Sequence, residues 1–139
     1  MTRNRMLAGL LAAAVVVSCG GDGGGTQNNP VPTPGNLTVS LDPSASAGAG
    51  AIQFTVTGGT KAIDTVVAAP GYTAYVRRVN AGQFRVILIG NVVSGAMATV
   101  HVPDTKKAAS YSVAATGAAN DATFAAMSAL LFPLSLDAP

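Results

Sequence analysis

Few residues of this 139-residue chain have types that could do chemistry: one cysteine, one histidine, three tyrosines and a small set of arginines. Glu and Trp do not occur. A zinc site gathers several His or Cys ligands, a thiol protease pairs Cys with His, and a glycosidase sets two carboxylates across a cleft. One imidazole and one thiol supply neither of the first two sets, and only Asp remains for the third. No Gly-x-Ser-x-Gly elbow occurs, and the Gly-rich stretch at 20–25 precedes no strand or helix, so neither an esterase nucleophile nor a phosphate loop is read. The expectation is a protein that is not an enzyme, with no metal and no cofactor. His101 stands beside Met97 and Thr99 on an outward strand position; without a placed nucleophile and orienting acid it is read as a surface residue.

The one constellation that suggests binding is Tyr75, Arg77 and Arg85. A hairpin over Tyr72–Ile89 positions it, and its register follows from asking which loop separates apolar from polar residues. A two-residue Ala81-Gly82 turn puts Arg77 on the face of Val86 and Leu88. A three-residue loop Asn80-Ala81-Gly82, with Gly82 in the left-handed position of a bulge, instead groups Tyr72, Ala74 and Val76 with Phe84, Val86 and Leu88 inside. Thr73, Tyr75, Arg77, Arg85 and Ile87 then face out. Two like charges opposed across a hairpin repel, and an anionic partner relieves that repulsion. Tyr72, Tyr75 and Tyr111 are the aromatics with a polar tip for stacking a sugar, and two of them are expected inside.

The remaining elements repeat the same period of two. Leu37, Val39 and Leu41 alternate with polar residues, as do Ile52, Phe54 and Val56, and Ala98, Val100 and Val102 alternate with Met97, Thr99 and His101. Lys61–Ala68, the run Tyr111, Val113, Ala115, and the closing Phe132, Leu134, Leu136 complete about eight short strands. Asn120 or Asp121 caps a short helix carrying Phe124, Met127 and Leu131, or that segment is an irregular strand; the pattern leaves both open. Gly and Pro punctuation without a βαβ rhythm indicates an all-β fold, an antiparallel β-sandwich over residues 36–139.

Ahead of this domain, Arg3 and Arg5 precede an apolar run from Met6 to Val17. Twelve residues suit a secretory signal and fall short of the roughly 20 that span a bilayer. The run ends in Val16-Val17-Ser18-Cys19, which resembles the lipobox of bacterial lipoproteins. That resemblance implies a signal peptide over 1–18, lipidation of Cys19, and attachment to a membrane through the lipid. Gly rather than Asp after the Cys resembles lipoproteins sorted to the outer membrane of the cell envelope. Residues 19–35, first Gly-rich and then Pro-alternating, read as a flexible tether reaching at most roughly 50 Å. With the signal removed, Lys61, Arg77, Arg78, Arg85, Lys106 and Lys107 balance six Asp, so the side chains sum to zero. A nucleic-acid partner is excluded on that ground, because counterion release needs a cationic excess.

Three segments resemble bacterial cohesin modules and the carbohydrate-binding sandwiches related to them. They are Gly50-Ala51-Ile52-Gln53-Phe54-Thr55-Val56, Arg85–Gly90, and Ser94–Val102. Thr57-Gly58-Gly59 departs from the aromatic-Asp pair that commonly follows the Gln-Phe strand in cohesins. The resemblance implies a non-catalytic module that engages an envelope protein or polysaccharide through a sheet face. An envelope structural protein with no discrete ligand is the alternative.

Overall fold

The structure, a computed structural model, describes residues 29–43, 45 and 48–139. The expected signal peptide, Cys19 and the first part of the tether lie outside the described residues. Among the described residues, nine strands form two antiparallel sheets packed as a sandwich. The four-stranded sheet contains β1 (Gly35–Leu41), β3 (Thr65–Ala68), β6 (Gly95–Val102) and β9 (Leu134–Asp137), in the order β3-β6-β1-β9. The five-stranded sheet contains β2 (Ala49–Thr57), β4 (Thr73–Asn80), β5 (Gln83–Val92), β7 (Ser112–Asn120) and β8 (Ala126–Met127), in the order β4-β5-β2-β7-β8.

The alternation that predicts the strands also fills the core. Leu37, Val39 and Leu41 from one sheet meet Ile52, Phe54, Val56, Val86 and Leu88 from the other, all buried. Each such side chain contributes about 1.5–3 kcal/mol on burial. Phe132 enters the same core from the segment that crosses between the sheets.

Several sequence expectations are corrected. The strand placed at Lys61–Ala68 is only Thr65–Ala68, because Gly58–Ile63 bonds to the hairpin turn: Gly58 donates to the Gly82 carbonyl and Ile63 to that of Ala81. Met97, expected outside, is buried. Val39 pairs with Ala98 but Ser40 with Ala96, so Met97 is the extra residue of a bulge, and the extra residue turns its side chain inward. Tyr111, read as opening a strand, precedes β7; it is buried, as expected of an inner-face residue, and its hydroxyl donates to the Ala62 carbonyl at 3.0 Å.

Between Asp121 and Leu131 the irregular reading prevails over the helix. Asn120 Oδ1 accepts from the amides of Ala122 and Thr123 and from the Thr123 hydroxyl, closing a turn rather than starting a helix. Phe124 then takes a left-handed φ of 56°, which no α-helix continues. The two-residue β8 and a 3-10 turn at Ala129–Leu131 follow. A further 3-10 turn, Thr105–Ser110, has Asp104 as its N-cap.

The end of the expected tether belongs to the sandwich. Thr33 donates its amide to Asp104 Oδ1 and accepts at its carbonyl from the Thr105 amide and hydroxyl. Lys106 Nζ donates to the Val31 carbonyl. The chain thus enters β1 clamped to the 105–110 turn, at the same end as the β4–β5 hairpin loop.

Candidate ligand-binding face

The Tyr75 constellation is built by β4 and β5 on the outer face of the five-stranded sheet. Arg77 stands directly opposite Arg85, Tyr75 opposite Ile87 and Thr73 opposite Ile89. This is the expected pairing of the strand bodies, but the turn differs. Asn80 pairs with Gln83 across a two-residue Ala81-Gly82 turn, and Val79 is bulged out to keep Arg77 and Arg85 in register. Gly82 is not left-handed. Its missing side chain serves close packing instead: a Cβ there would lie 2.7 Å from the Lys61 carbonyl oxygen and 2.8 Å from that of Gly59.

As the outermost strand, β4 has no neighbour beyond it in its sheet among the described residues. Val76, expected inside, is 40% exposed for this reason, while Ala74 and Tyr72 pack partly against the core. Arg78, which the sequence reading did not single out, closes this edge of the sandwich. Its Nη2 donates to the carbonyls of Ile63 and Asp64, and its guanidinium lies 4.9 Å above the Phe84 ring.

Arg77 and Arg85 behave differently. Both are exposed, and among the described residues neither guanidinium has a carboxylate or carbonyl partner; the ion pair there joins Lys107 to Asp104 at 3.9 Å. Opposed residues in an antiparallel pair have Cα atoms about 4.5–5.5 Å apart, so the two arginine side chains leave the sheet side by side on one face. They border an open hollow of about 500 Å³, walled also by Tyr75, Gln53 and Ile87. Tyr75 is 61% exposed. A second hollow of about 240 Å³ continues across β2 and β7, sharing Gln53 and Ile87 and ending at Gly117–Ala119. The face can offer two guanidinium forks, a phenol, an amide and apolar ring-sized surface.

The remaining sequence candidates lie elsewhere. His101, on β6 of the other sheet, pairs with Asn36 and Thr65 and is half-buried. Tyr111 is held at the clamped end beside Gly58, its phenol pushed above its ordinary value by burial and by the charges of Asp104 and Asp64. No group of three or more His, Cys, Asp or Glu is gathered among the described residues. Gln53 and Gly117 were missed as site residues; the first was read only as part of the Gln-Phe strand. No protein-family model, curated protein or solved structure matches the chain.

Proposed function

We propose that the protein is a lipid-anchored component of the bacterial cell envelope whose sandwich is a non-catalytic binding module, with Tyr75, Arg77 and Arg85 on its ligand face. The observation that carries this reading is the Arg77–Arg85 pair, held in direct register, without an acceptor among the described residues, beside an exposed tyrosine and an open hollow. Like charges opposed on a sheet cost stability, whereas a carboxylate or phosphate received by both forks makes charge-assisted bonds roughly twice as strong as neutral ones. The cohesin-like segments Gly50–Val56 and Arg85–Gly90 supply the strands that form this face, which accords with a module engaging an envelope protein or polysaccharide. Anchoring rests on the lipobox-like Val16–Cys19, with the outer membrane as the proposed destination.

Full-length protein presented to envelope extract tests the reading. Wild type retains a partner that salt weakens, and the double variant Arg77→Thr, Arg85→Thr loses it. Retention of the same partner by the variant refutes the face, and retention of nothing by wild type favours the structural protein with no discrete ligand.

A further inference from the structure

The two hollows share a wall, and one transverse row of the sheet runs through both. Register places Tyr75 opposite Ile87, Ile87 opposite Gln53, and Gln53 opposite Gly117. Three strand spacings make this row about 14 Å long. At its far end β7 carries a bulge: Gln53 pairs with Gly117 but Phe54 with Ala115, leaving Thr116 extra, its hydroxyl on the Gln53 carbonyl at 3.3 Å. Gly117 has no left-handed φ, and a Cβ built on it meets nothing within 4 Å. Neither backbone conformation nor packing requires glycine at 117. Gly117 lines the second hollow, and its missing side chain leaves that end unfilled.

Resting on the reading that this face binds, we infer that its ligand is a linear acidic polysaccharide, a uronate chain lying across the strands from the arginine pair to Gly117. The Arg77 and Arg85 forks receive carboxylates. Tyr75, Ile87 and Ile89, each exposed by more than a third, offer apolar surface to the C–H faces of sugar rings. The Gln53 amide, with a donor and an acceptor, suits ring hydroxyls.

A folded protein fits the face less well. Its outline is about 19 Å across five strands by about 31 Å along the ten-residue β5, roughly 600 Å², against the ~800 Å² per partner of a stable protein interface. An extended peptide draws its main-chain bonds from a sheet edge, and this trough crosses a face. A second copy of the same face is excluded by charge. Its outward row at Arg77, Arg85, Thr55 and Ala114 carries no carboxylate to meet two arginines.

Calorimetry of the full-length protein in mild detergent tests the inference, with tetramers of galacturonate and of mannuronate, a neutral galactose tetramer, and a tetraglutamate peptide. A uronate tetramer binds at least about tenfold more tightly than either other class. Arg77→Thr with Arg85→Thr weakens it at least about tenfold. Gly117→Val, which fills the trough and leaves every charge in place, does the same. Lys61→Thr with Lys106→Thr, an equal charge loss off the face, changes affinity less than about twofold. Unaltered binding by Gly117→Val overturns the chain-shaped ligand in favour of a point anion site, and tetraglutamate binding as tightly as uronate overturns it in favour of an acidic protein segment. Absence of uronate binding overturns the ligand class alone when envelope capture still depends on the two arginines; when capture is independent of them, the face itself is refuted.

Discussion

Replacing Asp104 by Ala tests whether the chain entering β1 is clamped or merely passes the sandwich. Asp104 is buried, 8% exposed as a residue, and its carboxylate does three things. Its Oδ1 caps the 105–110 turn through the Lys106 amide at 3.2 Å, and N-cap removal costs about 1 kcal/mol. The same oxygen accepts from the Thr33 amide at 3.1 Å, and a hydrogen bond to a charged acceptor contributes about 1.5–3 kcal/mol, the lower end suiting a partly buried site. The Lys107 contact at 3.9 Å, with a half-exposed lysine, adds no more than a few tenths. The sum, about 2.5 kcal/mol, corresponds to a fall in Tm of roughly 10–20 °C for a domain near 100 residues. Asp104→Asn keeps an acceptor at Oδ1 and loses about 1 kcal/mol or less. Thermal melts followed by circular dichroism give the totals, and hydrogen exchange reports the mechanism, because the Thr33 and Lys106 amides lose protection in Asp104→Ala. A loss below about 1 kcal/mol, or Thr33 protection as in wild type, refutes the clamp.

Three further outcomes are expected. Cys19→Ser leaves an uncleaved or soluble form where the wild type fractionates with membrane; wild-type processing and fractionation of the variant, followed by immunoblot, remove the anchoring proposal. Gly82→Ala drives a Cβ against the carbonyls of Lys61 and Gly59 and costs about 1–3 kcal/mol, so a melt within 2 °C of wild type contradicts the close packing. Tyr111 has its phenol pushed up by burial, then by Asp104 and Asp64, so it favours the folded state fully below about pH 10 and loses that contribution as pH rises through its folded value. Tyr111→Phe therefore loses about 1 kcal/mol at pH 7 through the Ala62 bond but closes the gap to wild type above pH 10 in urea titrations; parallel pH profiles refute this.

The strands were legible wherever one face meets the core. Leu37, Val39 and Leu41, or Ile52, Phe54 and Val56, are buried because a one-residue slip would expose all three, so alternation encodes position as well as type. The misreadings fall where an extra residue breaks that count. Met97 is inward and Val79 bulged because the ladder shifts there, and no period-2 pattern announces a bulge. Val76 fails for another reason: alternation says which way a side chain points, while the absence of a strand beyond β4 decides whether anything covers it.

The candidate face divides along the same line. Arg77 opposite Arg85 followed from local pairing within one hairpin, since the turn and its flanking strands suffice to fix it. Arg78 escaped notice because its partners, the carbonyls of Ile63 and Asp64, belong to a loop that only the folded chain brings against the hairpin. Gln53 and Gly117 lie 64 positions apart in sequence and meet through the β2–β7 ladder, and the bulge at Thr116 that brings them opposite leaves no trace in the run of Ala, Thr and Gly around it. A glycine in such a run reads as a weak strand residue. Only once its empty surroundings are seen beside the arginine hollow does it become a reason for the ligand to be long rather than a single ion, and that is why Gly117→Val discriminates more sharply than any change of charge.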